Sequence, residues 1–94
     1  MDIKHNNAAK YAFYAALRKR LKEEREFLGL ERRDVSEMIG CTYRHYLEFE
    51  GDSISIPIFY LQELADLYGL TLEDILTEAN AAREAIVCGN KSLT

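Results

Sequence analysis

Strong helix breakers are scarce in this sequence: one proline, Pro57, and five glycines occur in 94 residues. With 48% apolar and 30% charged residues, that scarcity excludes a disordered chain and fits a helix-rich globular one. The two cysteines, Cys41 and Cys88, lie far apart, with no C-x-x-C pair and no histidine at ligand spacing. Neither a zinc site nor a disulfide framework is signalled, and a reducing cytoplasm is the expected setting. The apolar stretch "YAFYAAL" (Tyr11 to Leu17) is too short to span a bilayer, and the "RKRLK" that follows is no cleavage site. The chain is therefore expected to be neither secreted nor membrane-embedded. Catalytic signatures are missing as well. His5 and His45 have no Ser, Cys or Asp partner at informative spacing, and there is no Gly-rich phosphate loop and no metal motif. No enzyme, cofactor or metal is predicted.

An overall excess of positive charge is also absent, the formal net charge being -4. That total hides an asymmetry. Residues 1–33 hold nine Lys/Arg against five Asp/Glu, net +4, whereas residues 34–94 hold three against eleven, net -8. A local basic patch matters more for nucleic-acid binding than the sum does, so the acidic total does not exclude it. The length suits one small domain that buries a modest core without staples.

From about Ala8 to Leu28 the residues are strong helix formers, with Leu17, Leu21 and Leu28 at helical spacing and Gly29 as a stop. "RRDVSEMIG" places Val35, Met38 and Ile39 on one face of a short helix closed by Gly40. A second short helix is predicted from Tyr43 to Glu50, with Thr42 as its cap. "GDSISIP" reads as a loop, after which Pro57 takes the first position of a helix running to Gly69, with Ile58, Leu61, Leu64, Ala65 and Tyr68 as its apolar stripe. Thr71 and Asp74 form a capping box that opens a last helix, with Leu72, Ile75, Leu76 and Ala79 on one face. That helix is expected to continue through Ile86 and end at Gly89, leaving "NKSLT" as a loose tail. The prediction is an all-α domain of five helices with extended first and last helices.

Two short helices separated by "GCT" form a helix-turn-helix candidate, the first bracing a second that is offered to a groove. The segment from Leu21 to Leu76 resembles the XRE family of helix-turn-helix regulators, the group related to the lambda repressor. The matching features are Arg25, "GL" at Gly29 and Leu30, "DVSEMIG", Glu50, and "LADLYGLTLEDIL", which looks like the family's closing "LAxxLGVSLDEL". The resemblance implies a lambda-repressor-like DNA-binding domain over residues 17–77. Residues 1–16 would then be an extension continuous with helix one, and residues 78–94 a C-terminal helix and tail. Departures are Arg32 where glutamine is usual, Ser36 where alanine is usual, Glu24 where an apolar residue is usual, and a one-position displacement of the loop's Gly and Pro. By the same resemblance, Arg25 and Glu50 form a partly buried ion pair tying helix one to the end of the recognition helix.

Helical geometry sorts the residues of the second short helix. At roughly 100° per residue, Tyr46, Phe49 and Glu50 share the inward side. Arg44 then centres the opposite side, with Leu47 and Glu48 beside it and Tyr43 and His45 on the flanks. The Arg44 fork suits guanine O6 and N7, Glu48 suits cytosine N4, and Leu47 suits a thymine methyl. The resemblance implies base contacts from Tyr43, Arg44 and Glu48, and a place near phosphate for Thr42. Arg32 and Arg33, at the start of the bracing helix, are positioned for phosphate, which the helix's N-terminal amides also favour. Other readings stay open: Glu50 as a solvated surface acid, Tyr43 packing on a neighbouring helix, His45 as a solvated flank, and Arg32 and Arg33 as a plain exposed pair. The "RKRLK" run is read as a solvated face of helix one.

The leading expectation is a cytoplasmic bacterial or phage transcriptional regulator, a repressor, that binds double-stranded operator DNA as a homodimer on a palindrome. Either Ala8 to Ala16 or Ala79 to Val87 would supply the dimer contact, with packing on the domain's own core the alternative for each. The acidic residues after position 33 motivate an alternative, a protein-interaction module of the same fold, antirepressor or antitoxin-like, that binds a protein partner instead of DNA.

Overall fold

The computed structural model describes residues 3–51 and 55–92, with side chains described for residues 7–51 and 55–88. The described residues form five helices and no strand: α1 (Ile3–Phe27), α2 (Arg32–Ile39), α3 (Tyr43–Glu50), α4 (Ile58–Leu67) and α5 (Leu72–Ser92). Part of the predicted loop (residues 52–54) and the end of the predicted tail (residues 93–94) lie outside the described residues.

Glycine-centred turns set where the early helices stop. At the end of α2, Gly40 takes the left-handed conformation (φ 77°), and its own amide and the next one fold back. Gly40 N donates to Glu37 O at 3.2 Å and Cys41 N to Ser36 O at 3.0 Å, satisfying carbonyls the helix leaves open. Thr42 Oγ1 then accepts from His45 N at 3.1 Å and starts α3 at once, so the turn is held to three residues. Thr71 and Asp74 cap α5 reciprocally: Asp74 accepts from Thr71 N at 3.1 Å, and Thr71 Oγ1 accepts from Asp74 N at 3.0 Å.

Helices α1 and α5 make the most extensive pairing in the fold, and α2, α3 and α4 close over one end of it. The pair runs antiparallel, since Arg20 reaches Asp74 and Glu78, while Phe13 and Tyr14 lie beside Arg83 and Val87. The core joins Leu17 and Leu21 of α1, Val35 and Ile39 of α2, Tyr46 and Phe49 of α3, Leu61, Leu64 and Ala65 of α4, and Ile75 and Ala79 of α5.

Several sequence expectations need correction. Helix α1 begins at Ile3, ahead of Ala8, because nothing in "IKHNN" breaks it. Pro57 caps α4 from outside: its backbone is extended (φ -54°, ψ 137°), and its carbonyl accepts the first helical bond from Leu61 N at 3.0 Å. Helix α5 runs through Gly89 to Ser92, since a lone glycine weakens a helix by about 1 kcal/mol without terminating it. Met38 and Ile58, placed on apolar stripes, are exposed, as is Leu28, which lies in the turn after α1. The buried position beside Met38 belongs to Ser36, whose Oγ donates to Arg33 O at 2.8 Å. The "RKRLK" run is not uniformly solvated. Arg20 pairs with Glu24 at 2.9 Å and Glu78 at 3.4 Å, and donates to Asp74 O at 3.3 Å, clamping α1 to α5.

Leu64 is fully enclosed and Phe59, on the same helix, is largely exposed. Leu64→Ala is expected to lower unfolding stability by about 2 to 5 kcal/mol in urea titrations. Phe59→Ala should change it by about 0.5 kcal/mol or less.

Candidate nucleic-acid interface

The α2–α3 pair is anchored from behind by one carboxylate. Glu50, the last residue of α3, has a side chain only 4% exposed. Its Oε2 accepts from Arg25 Nε at 2.7 Å and its Oε1 from Arg25 Nη2 at 3.1 Å, a two-point contact between α1 and α3. Arg25 also donates to Leu30 O at 2.8 Å, which ties the turn after α1 into the same cluster. The hydroxyl of Tyr46, one turn earlier on α3, donates to Glu50 Oε2. Arg32 Nε approaches Oε1 at 3.4 Å from the start of α2. One acid thus takes donors from three helices.

The electrostatics follow from that crowding. Burial alone would raise the Glu50 carboxyl, but hydrogen bonds from Arg25, Tyr46 and Arg32 and the nearby Arg25 charge hold it below the usual carboxylate range. The bond to Glu50 raises Arg25 in turn, with burial opposing it. Burial, reinforced by the bond to Glu50, pushes the Tyr46 phenol far up. The Tyr68 hydroxyl, buried beside Tyr46, has no hydrogen bond of good geometry among the described residues, and burial pushes it up to about 12.

With Tyr46, Phe49 and Glu50 turned inward, the opposite side of α3 is open. Arg44, Leu47 and Glu48 are exposed, and Thr42, Arg44, His45 and Glu48 line one shallow concavity. A second concavity is lined by Arg25, Glu31, Arg32, Arg33 and Tyr43, and a third by Lys22, Arg32, Leu47, Glu50 and Gly51. Arg32 lines both the second and the third. His45 is exposed, yet it is not simply solvated: its ring lies 5.3 Å from Phe49 and 6.3 Å from Tyr60 of α4, centre to centre. Tyr43 is half-buried, with the Arg33 guanidinium 4.1 Å from its ring centre. The Thr42 hydroxyl is already engaged as the helix cap.

Lys22 was missed as a neighbour of this face. It lies three residues before Arg25, hence on the same side of α1, and helical spacing from Arg25 would have found it. Among the described residues no group of His, Cys, Asp and Glu is arranged to hold a metal ion, and no helix is long and apolar enough to cross a membrane.

Comparison with known proteins finds similarity over most of the chain. The chain is 36% identical over 73 residues to the HTH-type transcriptional regulator PuuR of Escherichia coli (strain K12), and equally to the PuuR regulator of Shigella flexneri. The match covers 78% of this chain and 40% of each relative, so the chain spans less than half the length of the curated relatives it matches. A continuous stretch of 73 residues includes positions 22–73 wherever it begins, and with them all of α2 and α3. No family model matches the chain, and no solved structure matches it.

Three outcomes test the anchor. Arg25→Ala should cost about 3 kcal/mol in urea unfolding, the low end for breaking a buried pair because Arg25 borders an open concavity. Arg25→Ala combined with Glu50→Ala should cost clearly less than the sum of the two single changes. Because the folded Glu50 carboxyl is held low, the stability it contributes is complete above the ordinary carboxylate value, about 4.3, and is lost as pH falls through the folded value. Urea unfolding between pH 7 and pH 2 should show an acid-side loss that is shallower in Glu50→Gln.

Proposed function

We propose that this chain is a sequence-specific DNA-binding regulator of transcription that presents α3 to the major groove of double-stranded DNA. The observation that carries the reading is the 36% identity over 73 residues to a regulator named as helix-turn-helix, a stretch that includes the α2–α3 pair, whose outward side is open and centred on Arg44. Arg44 is assigned the main base contact, since its planar fork matches guanine O6 and N7. Glu48, one turn along, accepts from cytosine N4 and disfavours bases that offer only acceptors there. Leu47 meets a thymine methyl. Arg32 and Arg33 contact backbone phosphate, with Thr42 and His45 at the margin of the groove.

A single domain of this size makes few contacts, so binding is assigned to a homodimer on a palindromic site with half-sites about one helical turn apart. Residues 17–77 form the DNA-binding unit in this reading. Ala8 to Ala16 or Ala79 to Val87 supply the dimer contact, and occlusion of polymerase at the operator makes the protein a repressor in the cytoplasm.

A second reading has its own observation. The net charge of -8 after residue 33 favours a protein partner over a polyanion, so a module of the same fold could serve as an antirepressor or antitoxin-like partner without binding DNA. Salt and sequence dependence separate the two. On the first reading, log affinity for duplex falls steeply and linearly with log salt. Arg44→Ala then relaxes preference at one base pair in each half-site by roughly 1 to 3 kcal/mol, measured by fluorescence anisotropy on a panel of single-substitution duplexes. Absent duplex binding by the folded wild-type protein would favour the second.

A further inference from the structure

Tyr43 opens α3, and Arg33 sits in the first turn of α2. The two meet across the helix-turn-helix, with the guanidinium carbon 4.1 Å from the centre of the ring. A guanidinium stacked on an aromatic face keeps its N–H donors in the plane of the fork, at the edge away from the ring. The neighbouring Arg32 is held by different means, through Nε on Glu50 at 3.4 Å. The first and last residues of α3 therefore each hold one arginine of α2: a ring for Arg33 and a carboxylate for Arg32. Tyr43 is half-buried and occupied on the side Arg33 covers, unlike the exposed Arg44, Leu47 and Glu48.

We propose that Tyr43 is a positioning residue: its ring is the platform that holds Arg33 flat at the start of α2 for edge-on contact with a backbone phosphate, and Tyr43 itself does not read a base. The inference rests on the DNA-binding reading above, and it revises the base-reading role that family resemblance implies for this position. Stacking at an exposed site is worth roughly a two- to fivefold change in affinity through pre-orientation of Arg33. The contact carries no sequence information, because phosphate contacts position the protein without specifying bases.

The test compares wild-type protein with Tyr43→Phe, Tyr43→Leu, Arg33→Ala and the Arg33→Ala/Tyr43→Leu double variant. Affinities are measured by fluorescence anisotropy on the best duplex recovered from a random pool and on its single-substitution set, with urea unfolding confirming that each variant is folded. Tyr43→Phe should match wild type in affinity and preference, since the ring remains. Tyr43→Leu should weaken all duplexes by the same two- to fivefold and cost nothing further in the Arg33→Ala background. Arg33→Ala should flatten the log–log salt slope by about 0.9. A shifted base preference in Tyr43→Phe, or an equal Tyr43→Leu loss with and without Arg33, would overturn the inference while leaving the DNA-binding reading intact. Absence of duplex binding by folded wild-type protein overturns both.

Discussion

The buried carboxylate of Glu50 is the constraint on which the rest of the arrangement depends. A charge enclosed this far must be matched by donors, and Arg25, Tyr46 and Arg32 supply them from three helices. Meeting that demand fixes the end of α3 against α1 and the start of α2 against both. The rotation of α3 follows: with Glu50, Tyr46 and Phe49 inward, Arg44, Leu47 and Glu48 have only the outside left to them. A buried pair of this kind contributes little net stability over a well-packed apolar alternative. Its effect here is geometric, since it sets which side of an eight-residue helix is exposed.

Departures from the pattern of the family the sequence resembles make physical sense around this frame. Glu24, where an apolar residue is usual, is half-buried but paired with Arg20 at 2.9 Å, and Arg20 also bridges to α5. Ser36, where alanine is usual, returns its hydroxyl to Arg33 O within its own helix, so its burial leaves that donor satisfied. Arg32, where glutamine is usual, becomes a second cation on Glu50 while its side chain stays nearly half exposed. Each substitution adds a charged or polar group together with a partner for it. The exposed apolar residues Phe27, Met38, Ile58 and Phe59 have no such account.

Local rules carried the secondary structure far. Gly29 and Gly40 stop helices where the sequence places them, and Thr42 and the Thr71–Asp74 box start them. Local rules failed where two signals compete. Proline suits both the first helical position and the cap before it, and one glycine in a long helix is a cost rather than a stop. Contacts between helices were less legible. Nothing in periodicity joins Arg25 to Glu50, which lie 25 positions apart; the family resemblance alone implies their pairing. The Arg33–Tyr43 stack and the His45–Tyr60 contact depend on how α2, α3 and α4 cross, which no local pattern encodes. Lys22 was legible in principle, by its helical spacing from Arg25, but its run of basic neighbours disguised it as solvated surface.

In the proposed function an anchored α3 offers an arginine-centred face to duplex DNA. Selection of bound duplexes from a random pool by the wild-type chain tests it most directly. The expected result is enrichment of an inverted repeat whose half-sites lie about one helical turn apart and share an invariant guanine. A folded protein that enriches no sequence, at low salt as well as high, would contradict it.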